Sequence, residues 1–284
     1  MPEGDTVYLA GKRLHEALAG RELVRGELRH PRLSTVDLAG LGVLAVASVG
    51  KHLFTRFGDG RSLHTHFRMD GSWHLYRPGR RWKGPDHQVR AVLAVPDRVA
   101  VGFRLHDMAL LPTERESDLV GHLGPDLLGA DWGPAAAAEA ARRLAADPDR
   151  ELGVALLDQR VMAGVGNLYK SEVCFLLGVS PWVPVSAVDP DEAVELSRRL
   201  LLANADRPEQ STTGVLGADA QHWVFERGGR RCRRCGTTVR TSVQGSDVQE
   251  RIAYWCPTCQ PGPHPPARRP GRPQQSTARR SRYA

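Results

Sequence analysis

Residues 232–259 read CRRCGTTVRTSVQGSDVQERIAYWCPTC: two Cys-x2-Cys pairs, Cys232/Cys235 and Cys256/Cys259, separated by twenty residues. Each pair can form a knuckle that turns two thiolates toward one point, and twenty residues suffice for a β-hairpin that brings the knuckles together. The spacing therefore predicts one tetrahedral, structural Zn2+ site with no open ligand position. A pair of redox dithiols is the weaker reading, because neither Cys-x2-Cys sits at a strand-to-helix junction. Within the module Arg227, Arg230, Arg231, Arg233, Arg234, Arg240 and Arg251 face only Glu226, Asp247 and Glu250. Such a compact basic hairpin suits phosphate or groove binding. The fifth cysteine, Cys174, lies among apolar residues and is expected in the core.

Around this module the chain has 284 residues, enough for one large domain or two to three smaller ones. Lys plus Arg total 39 against 32 Asp plus Glu, a formal charge of +7, and only four of the basic residues are lysines. This balance favours a polyanionic partner or a charged tail. No run of eighteen apolar residues exists, and no basic stretch leads into an apolar one near the start, so neither a membrane span nor a secretory signal is expected. The expected location is cytoplasmic. Five cysteines are too few for a disulfide scaffold.

Upstream, residues 43–105 contain short strand-like runs (VLAVASVG, HLFTRF, RSLHTHF, GSWHLY, VRAVLAV, RVAVGF), with Asp59-Gly60 and Pro96-Asp97 placed as hairpin turns. The pattern predicts an antiparallel β-sandwich or barrel. An N-terminal helix is expected over about 6–19, where Val7, Leu9, Leu14 and Leu18 recur at near-helical spacing. Past Leu105, Pro112, Gly121, Gly124 and Pro125 mark a connection, and the remainder turns helical. Helices are expected from Pro134, over 151–158, from Asn167 to Gly178, and from Asp189-Pro190 through EAVELSRRLLLAN, where Asp can cap and Pro takes the first position. The expected class is α+β, with domains at 1–120 (sandwich), 121–222 (helical), 223–260 (zinc finger) and 261–284. That last stretch, PGPHPPARRPGRPQQSTARRSRYA, has no acid and almost no apolar residue, and is expected to be a disordered basic tail.

Two further stretches carry chemistry. In MAGVGNLYKSE, residues 162–172, Gly164 and Gly166 allow a tight turn before a helix starting at Asn167, whose backbone N–H groups and amide side chain could hold a phosphate. At the start, Met1-Pro2-Glu3-Gly4 places a small residue after Met. Removal of Met1 would expose a proline secondary amine beside a carboxylate. An α-amino group has a pKa of about 8, well below that of lysine, so a useful fraction is nucleophilic at neutral pH and could attack a sugar C1′.

Together these pieces resemble the formamidopyrimidine-DNA glycosylase / endonuclease VIII family. The matching residues are Pro2-Glu3-Gly4, Gly50-Lys51-His52, His66-Phe67-Arg68-Met69-Asp70-Gly71-Ser72, Leu123-Gly124-Pro125-Asp126, Leu156-Leu157-Asp158-Gln159 through Gly166-Asn167, and the four-cysteine finger with Arg251. The resemblance implies a β-sandwich, a helix-two-turn-helix domain and a zinc finger clamping damaged double-stranded DNA, in a monomeric, nucleoid-associated enzyme. It implies that Pro2 is the Schiff-base nucleophile and Glu3 the acid that protonates the opening deoxyribose. Lys51, Asn167 and Arg251 would grip phosphates flanking an extruded nucleotide, with Lys51 and Arg251 also assisting catalysis. Met69 would push into the base stack, with Arg68 beside it on the DNA.

Relatives specific for oxidised purines usually carry Arg-Arg-Phe-Gly after the sandwich and a longer capping loop before the finger. Here the corresponding stretches are Leu105-His106-Asp107-Met108-Ala109-Leu110 and the short segment 212–223. Both departures, with the Gly4-Asp5-Thr6-Val7 start, favour the endonuclease VIII branch, oxidised pyrimidines and β,δ-elimination. The competing readings are a purine-preferring glycosylase, an enzyme acting mainly on abasic sites, and a non-catalytic zinc-finger DNA-binding protein. Global charge decides little, because six of the arginines lie beyond residue 265 and residues 1–259 carry only +1, or near −1 once four thiolates hold a zinc. Local concentration of arginine must carry the argument for DNA.

Overall fold

The computed structural model describes residues 2–217, 219–245 and 250–265, so the expectation of a disordered tail falls, from residue 266 on, outside the described residues. The first helix, α1 (Gly4–Leu18), begins two residues before its expected start and buries Val7, Leu14 and Leu18. Strands β1 (Arg21–Glu22) and β2 (Arg25–Leu28) follow, then β3 (Gly42–Val49), β4 (His52–Phe57), β5 (Arg61–His66), β6 (Ser72–Tyr76), β7 (Val89–Val95), β8 (Arg98–Phe103) and β9 (Asp107–Pro112). They form two antiparallel sheets, β1-β3-β4-β5-β9 and β2-β7-β8-β6. Leu53, Phe57 and Leu63 of the first sheet meet Ala91, Leu93 and Val95 of the second in one core, closed by α1.

Two strand assignments correct the sequence reading. Arg21–Leu28 forms β1 and β2 despite its charges, because each strand lies at the edge of a sheet and exposes alternate residues. The stretch after Leu105, read as the start of a connection, is β9, paired with β5 from Arg61↔Pro112 to His66↔Asp107. Pro112 is tolerated because it ends an edge strand.

The second half contains α2 (Ser117–Val120), α3 (Pro134–Ala145), α4 (Leu152–Leu157), α5 (Asn167–Leu176) and α6 (Pro190–Asn204). Pro134 and Pro190 occupy first-turn positions, and the Asp189 side chain accepts from Asp191 N–H at 2.9 Å. A second core joins these helices through Leu144, Leu156, Leu168, Tyr169 and Leu201. Strands β10 (Arg240–Gln244) and β11 (Arg251–Trp255) pair as an antiparallel hairpin. Phe175, Val224, Val239, Cys232 and Cys256 make a small core beneath it. Among the described residues no helix is long and apolar enough to cross a membrane.

Candidate active site

Glu3 ends the extended N-terminal segment just before α1 and is fully buried. Its carboxylate accepts from Gly166 N–H at 2.8 Å, Leu168 N–H at 2.7 Å and, at 3.4 Å, Tyr169 N–H. These are orphan donors at the start of α5, where a negative charge is favoured. The sequence reading offered the same N–H groups to a phosphate; the structure gives them to Glu3 instead. The segment reaches them because two glycines leave room. A Cβ on Gly166 would stand 2.5 Å from the Glu3 carboxyl carbon, and one on Gly4 would stand 2.8 Å from Gly164 Cα. Gly4 N–H also donates to the Gly164 carbonyl at 3.0 Å.

Burial pushes the Glu3 carboxyl above the usual carboxylate range; Lys51 and the Leu168 and Gly166 amides pull it back in part. The group is thus readier to hold a proton near neutral pH than an exposed glutamate, as a general acid must be. Lys51 occupies the two-residue turn Gly50-Lys51 between β3 and β4. Gly50, at φ +56°, supplies the left-handed first position of that turn and donates its N–H to Asp126 at 2.8 Å. Lys51 Nζ donates to the Val165 carbonyl at 2.6 Å, and burial lowers its pKa while Glu3 raises it. Gln159 braces the same loop, donating to the carbonyls of Leu157 at 2.9 Å and Val165 at 2.8 Å and accepting from Gly164 N–H at 3.1 Å.

Pro2 opens onto a cleft of about 550 Å³ whose walls include Thr6, Arg13, Phe67, Trp73 and Gln210. Across the helical half, the Asn167 side-chain amide donates to the Ile252 carbonyl at 2.9 Å, which ties the start of α5 to β11 beside the exposed Arg251. The Arg251 charge is felt by both Lys51 and Lys170. Pro2, Glu3, Lys51, Asn167 and Arg251 are therefore gathered around one junction, although they lie up to 249 positions apart in the sequence.

Met69 sits in the turn between β5 and β6, 61% exposed. That turn is tied from several sides: Arg68, at φ +52°, donates to Asp107 at 2.8 Å, and Arg104 donates to the Asp70 carbonyl at 3.0 Å. An exposed apolar side chain on a braced turn is available to enter a base stack.

Sequence reasoning missed Asp5, Gln210 and Lys170. The Asp5 carboxylate is buried, accepting from Tyr169 O–H at 2.8 Å and from Gln210 Nε2 at 2.9 and 3.0 Å. Lys170 is fully buried on α5, and burial takes it down to about 8. A carboxylate at position 5 and a lysine in an apolar helix were the only available signals. The finger arginines also needed correction as a group. Arg227 donates to the Trp223 and Arg231 carbonyls, Arg233 to the His222 carbonyl, Arg230 pairs with Asp219, and the Arg234 guanidinium lies 4.4 Å from the Phe175 ring centroid. Of the seven, only Arg230 has a carboxylate partner and only Arg234 an aromatic one among the described residues; Arg227, Arg231, Arg233, Arg240 and Arg251 have neither.

The ligand atoms of Cys232, Cys235, Cys256 and Cys259 all lie within 4.8 Å of one another, with Sγ separations of 3.9 Å for Cys232–Cys259 and 3.4 Å for Cys235–Cys256. Metal–sulfur bonds of about 2.3 Å give a tetrahedron with edges of about 3.8 Å, so the four thiols can together hold one metal ion. Thiolates in that geometry are the donor set zinc prefers.

Two family models cover most of the chain, the formamidopyrimidine-DNA glycosylase N-terminal domain over residues 1–108 and its helix-two-turn-helix domain over 123–205. The chain is 55% identical over 275 residues to the probable endonuclease 8 2 of Streptomyces coelicolor, covering 95% of this chain and 97% of that one. The chain belongs to the formamidopyrimidine-DNA glycosylase / endonuclease VIII family. It is likewise 47% identical over 261 residues to the DNA-(apurinic or apyrimidinic site) lyase Nei2 of Mycolicibacterium smegmatis, covering 92% and 99% of the two chains. A solved structure of the Lactococcus lactis formamidopyrimidine-DNA glycosylase on DNA containing an abasic site superposes with a TM-score of 0.75, at 20% identity, over 92% of this chain and all of that one. This last likeness carries the fold. Membership places the chain among the DNA glycosylase/AP lyase enzymes of base-excision repair.

Proposed function

We propose that the protein excises oxidised pyrimidines from damaged double-stranded DNA and nicks the strand at the resulting site by β,δ-elimination, acting as a monomer in the cytoplasm on nucleoid DNA. The observation that carries the reading is the juxtaposition of Pro2, open to the cleft, with a fully buried Glu3 whose carboxyl pKa burial raises. With Met1 removed, the Pro2 nitrogen is a secondary amine. It attacks C1′ and gives up its N–H proton, the bond from C1′ to the base breaks, and the base leaves carrying that proton. Glu3 delivers its proton to the ring oxygen as the sugar opens, leaving an iminium that links Pro2 to C1′. Loss of a C2′ proton, accepted by the now ionised Glu3, expels the 3′ phosphate; loss of a C4′ proton expels the 5′ phosphate; and water hydrolyses the iminium, freeing Pro2. Lys51, Asn167 and Arg251 hold the flanking phosphates, and Met69, with Arg68, fills the stack the base has left.

Cys232, Cys235, Cys256 and Cys259 would hold one structural zinc, which shapes the hairpin carrying Arg251 and supplies no chemistry to the sugar. The proposed division is 1–120, 121–222 and 223–260, with the basic stretch 261–284 following. Pyrimidine preference is supported by the lack of an Arg-Arg-Phe-Gly stretch at residues 105–110 and by the endonuclease 8 names of the relatives.

Borohydride trapping on duplexes carrying thymine glycol, 8-oxoguanine or an abasic site tests the reading. A covalent protein–DNA adduct on thymine glycol, lost in Pro2→Gly, is the expected result. Preference for 8-oxoguanine opposite cytosine would overturn the pyrimidine assignment. Trapping on abasic DNA alone would leave a lyase, in keeping with the name of the M. smegmatis relative.

A further inference from the structure

The outer face of the second sheet carries a feature the cleft does not use. Between β6 and β7 the chain runs Arg77-Pro78-Gly79-Arg80-Arg81-Trp82-Lys83, four cations and no acid. Arg77 to Arg80 is a β-turn closed by Arg80 N–H donating to the Arg77 carbonyl at 3.2 Å, with Pro78 at the second position and Gly79 at φ +73°, as a type II turn requires. The loop is pinned as well as turned. Trp82 packs against Val89, Val92, Val101 and Phe103, and Lys83 N–H donates to Tyr76 O–H at 3.2 Å. Gly84 lies so close to the Phe103 ring that a Cβ would stand 2.6 Å away.

Arg77, Arg80, Arg81 and Lys83 are exposed, and among the described residues none has a carboxylate within ion-pair distance. This is unlike their surroundings. Arg25 and Arg29, 5.9 and 6.0 Å from the Trp82 ring centroid, are matched by Glu27 and Asp86, and Arg21 and Arg98 are matched by Asp97. Four unmatched cations held on one rigid loop repel one another, and a polyanion relieves that repulsion at little ordering cost. A groove of about 530 Å³ runs beside them, bounded by Arg25, Arg77, Arg81 and Trp82.

We propose that loop 77–83 is a second DNA-binding surface that takes the phosphodiester backbone of duplex DNA outside the cleft. Duplex phosphates fit better than unpaired bases, because Trp82 is packed on the sheet and crowded by two guanidiniums and so offers no free ring for stacking. The strand β6 leads from the Met69 turn to the loop over about 13 Å, at about 3.3 Å per residue, so one duplex gripped at that turn can reach both. Contacts of this kind are independent of sequence and damage, and they hold the enzyme on undamaged DNA.

The test uses the full chain and a long undamaged duplex, so its outcome is separable from the cleft chemistry read by borohydride trapping. The triple variant Arg80→Ala/Arg81→Ala/Lys83→Ala should bind more weakly, with the slope of log affinity against log salt shallower by about 2.7, or about 0.9 for each phosphate no longer neutralised. Its excision rate at saturating lesion substrate should match wild type. The charge-keeping Arg80→Lys/Arg81→Lys should keep the wild-type slope. Equal slopes for wild type and the alanine variant overturn the proposal, as does an equally shallow slope in the lysine variant. Binding of polyglutamate to the loop without any change in the duplex slope would assign the surface to an acidic protein and overturn it too.

Discussion

Gly166 donates its backbone N–H to the Glu3 carboxylate at 2.8 Å, across 163 positions of sequence. The catalytic acid proposed here thus belongs to the first half of the chain by sequence and to the start of α5 by hydrogen bonding.

Replacing Glu3 by Gln removes the proton donor, and turnover on a lesion duplex should fall by about 10²–10⁴-fold. The variant also reports on acidity. Burial raises the folded-state pKa of Glu3, so the native protein binds more protons than the unfolded chain between the ordinary carboxylate pKa and the raised one. Its contribution to stability is complete below that window and is lost as pH rises through the folded pKa. Melting profiles from pH 4 upward should show wild type losing stability relative to Glu3→Gln as pH increases, by at most about 1.4 kcal/mol per pH unit. A difference that stays constant with pH would rule out the raised pKa.

Gly166→Ala probes the close approach itself. Its Cβ would have to displace the Glu3 carboxyl group, and overpacking of this kind costs about 1–3 kcal/mol. Both the melting temperature and the excision rate should drop. Wild-type behaviour in both assays would show that the segment can relax freely, contrary to its three backbone bonds.

Metal removal should unfold more than a loop. Cys232 and Cys256 are buried with Phe175 and Val224, so Cys256→Ser or chelation should lower thermal stability and DNA affinity together. In a chain of this size each kcal/mol of destabilisation appears as about 2–4 °C in melting temperature. Full duplex affinity in metal-free protein would separate the finger from DNA binding.

Met69→Ala should separate stability from function. The side chain is exposed, so the melting temperature should change by no more than about 0.5 kcal/mol allows. Excision from a duplex should fall while excision from single strands, where there is no stack to fill, should not. An equal loss on both substrates would refute the wedge role.

Much of this architecture could be read locally. The strands from Gly42 to Phe103, the helix starts at Pro134 and Asp189-Pro190, and the cysteine hairpin follow from periodicity, caps and spacing, which are properties of neighbouring residues. Strand β9 was hidden because its pairing with β5, more than its own composition, makes it a strand. Gly164 and Gly166 looked like turn chemistry. Gly164 does adopt φ +115°, but Gly166 is also required small by Glu3, and Gly4 by Gly164, which no local pattern could announce. The finger arginines failed for a related reason. A basic count cannot distinguish Arg234 lying over Phe175 from Arg251 open to solvent, because the partners are a distant ring and backbone carbonyls.

Because α5 supplies the cradle for Glu3, the sandwich alone would be unarmed. Freed from those three amides and from burial, its glutamate would behave as any surface carboxylate, and the proline amine beside it would stand without a proton source. The two halves would therefore complement each other in trans or not work at all. On the proposed mechanism a nascent chain would cut DNA only after its helical half has emerged and docked.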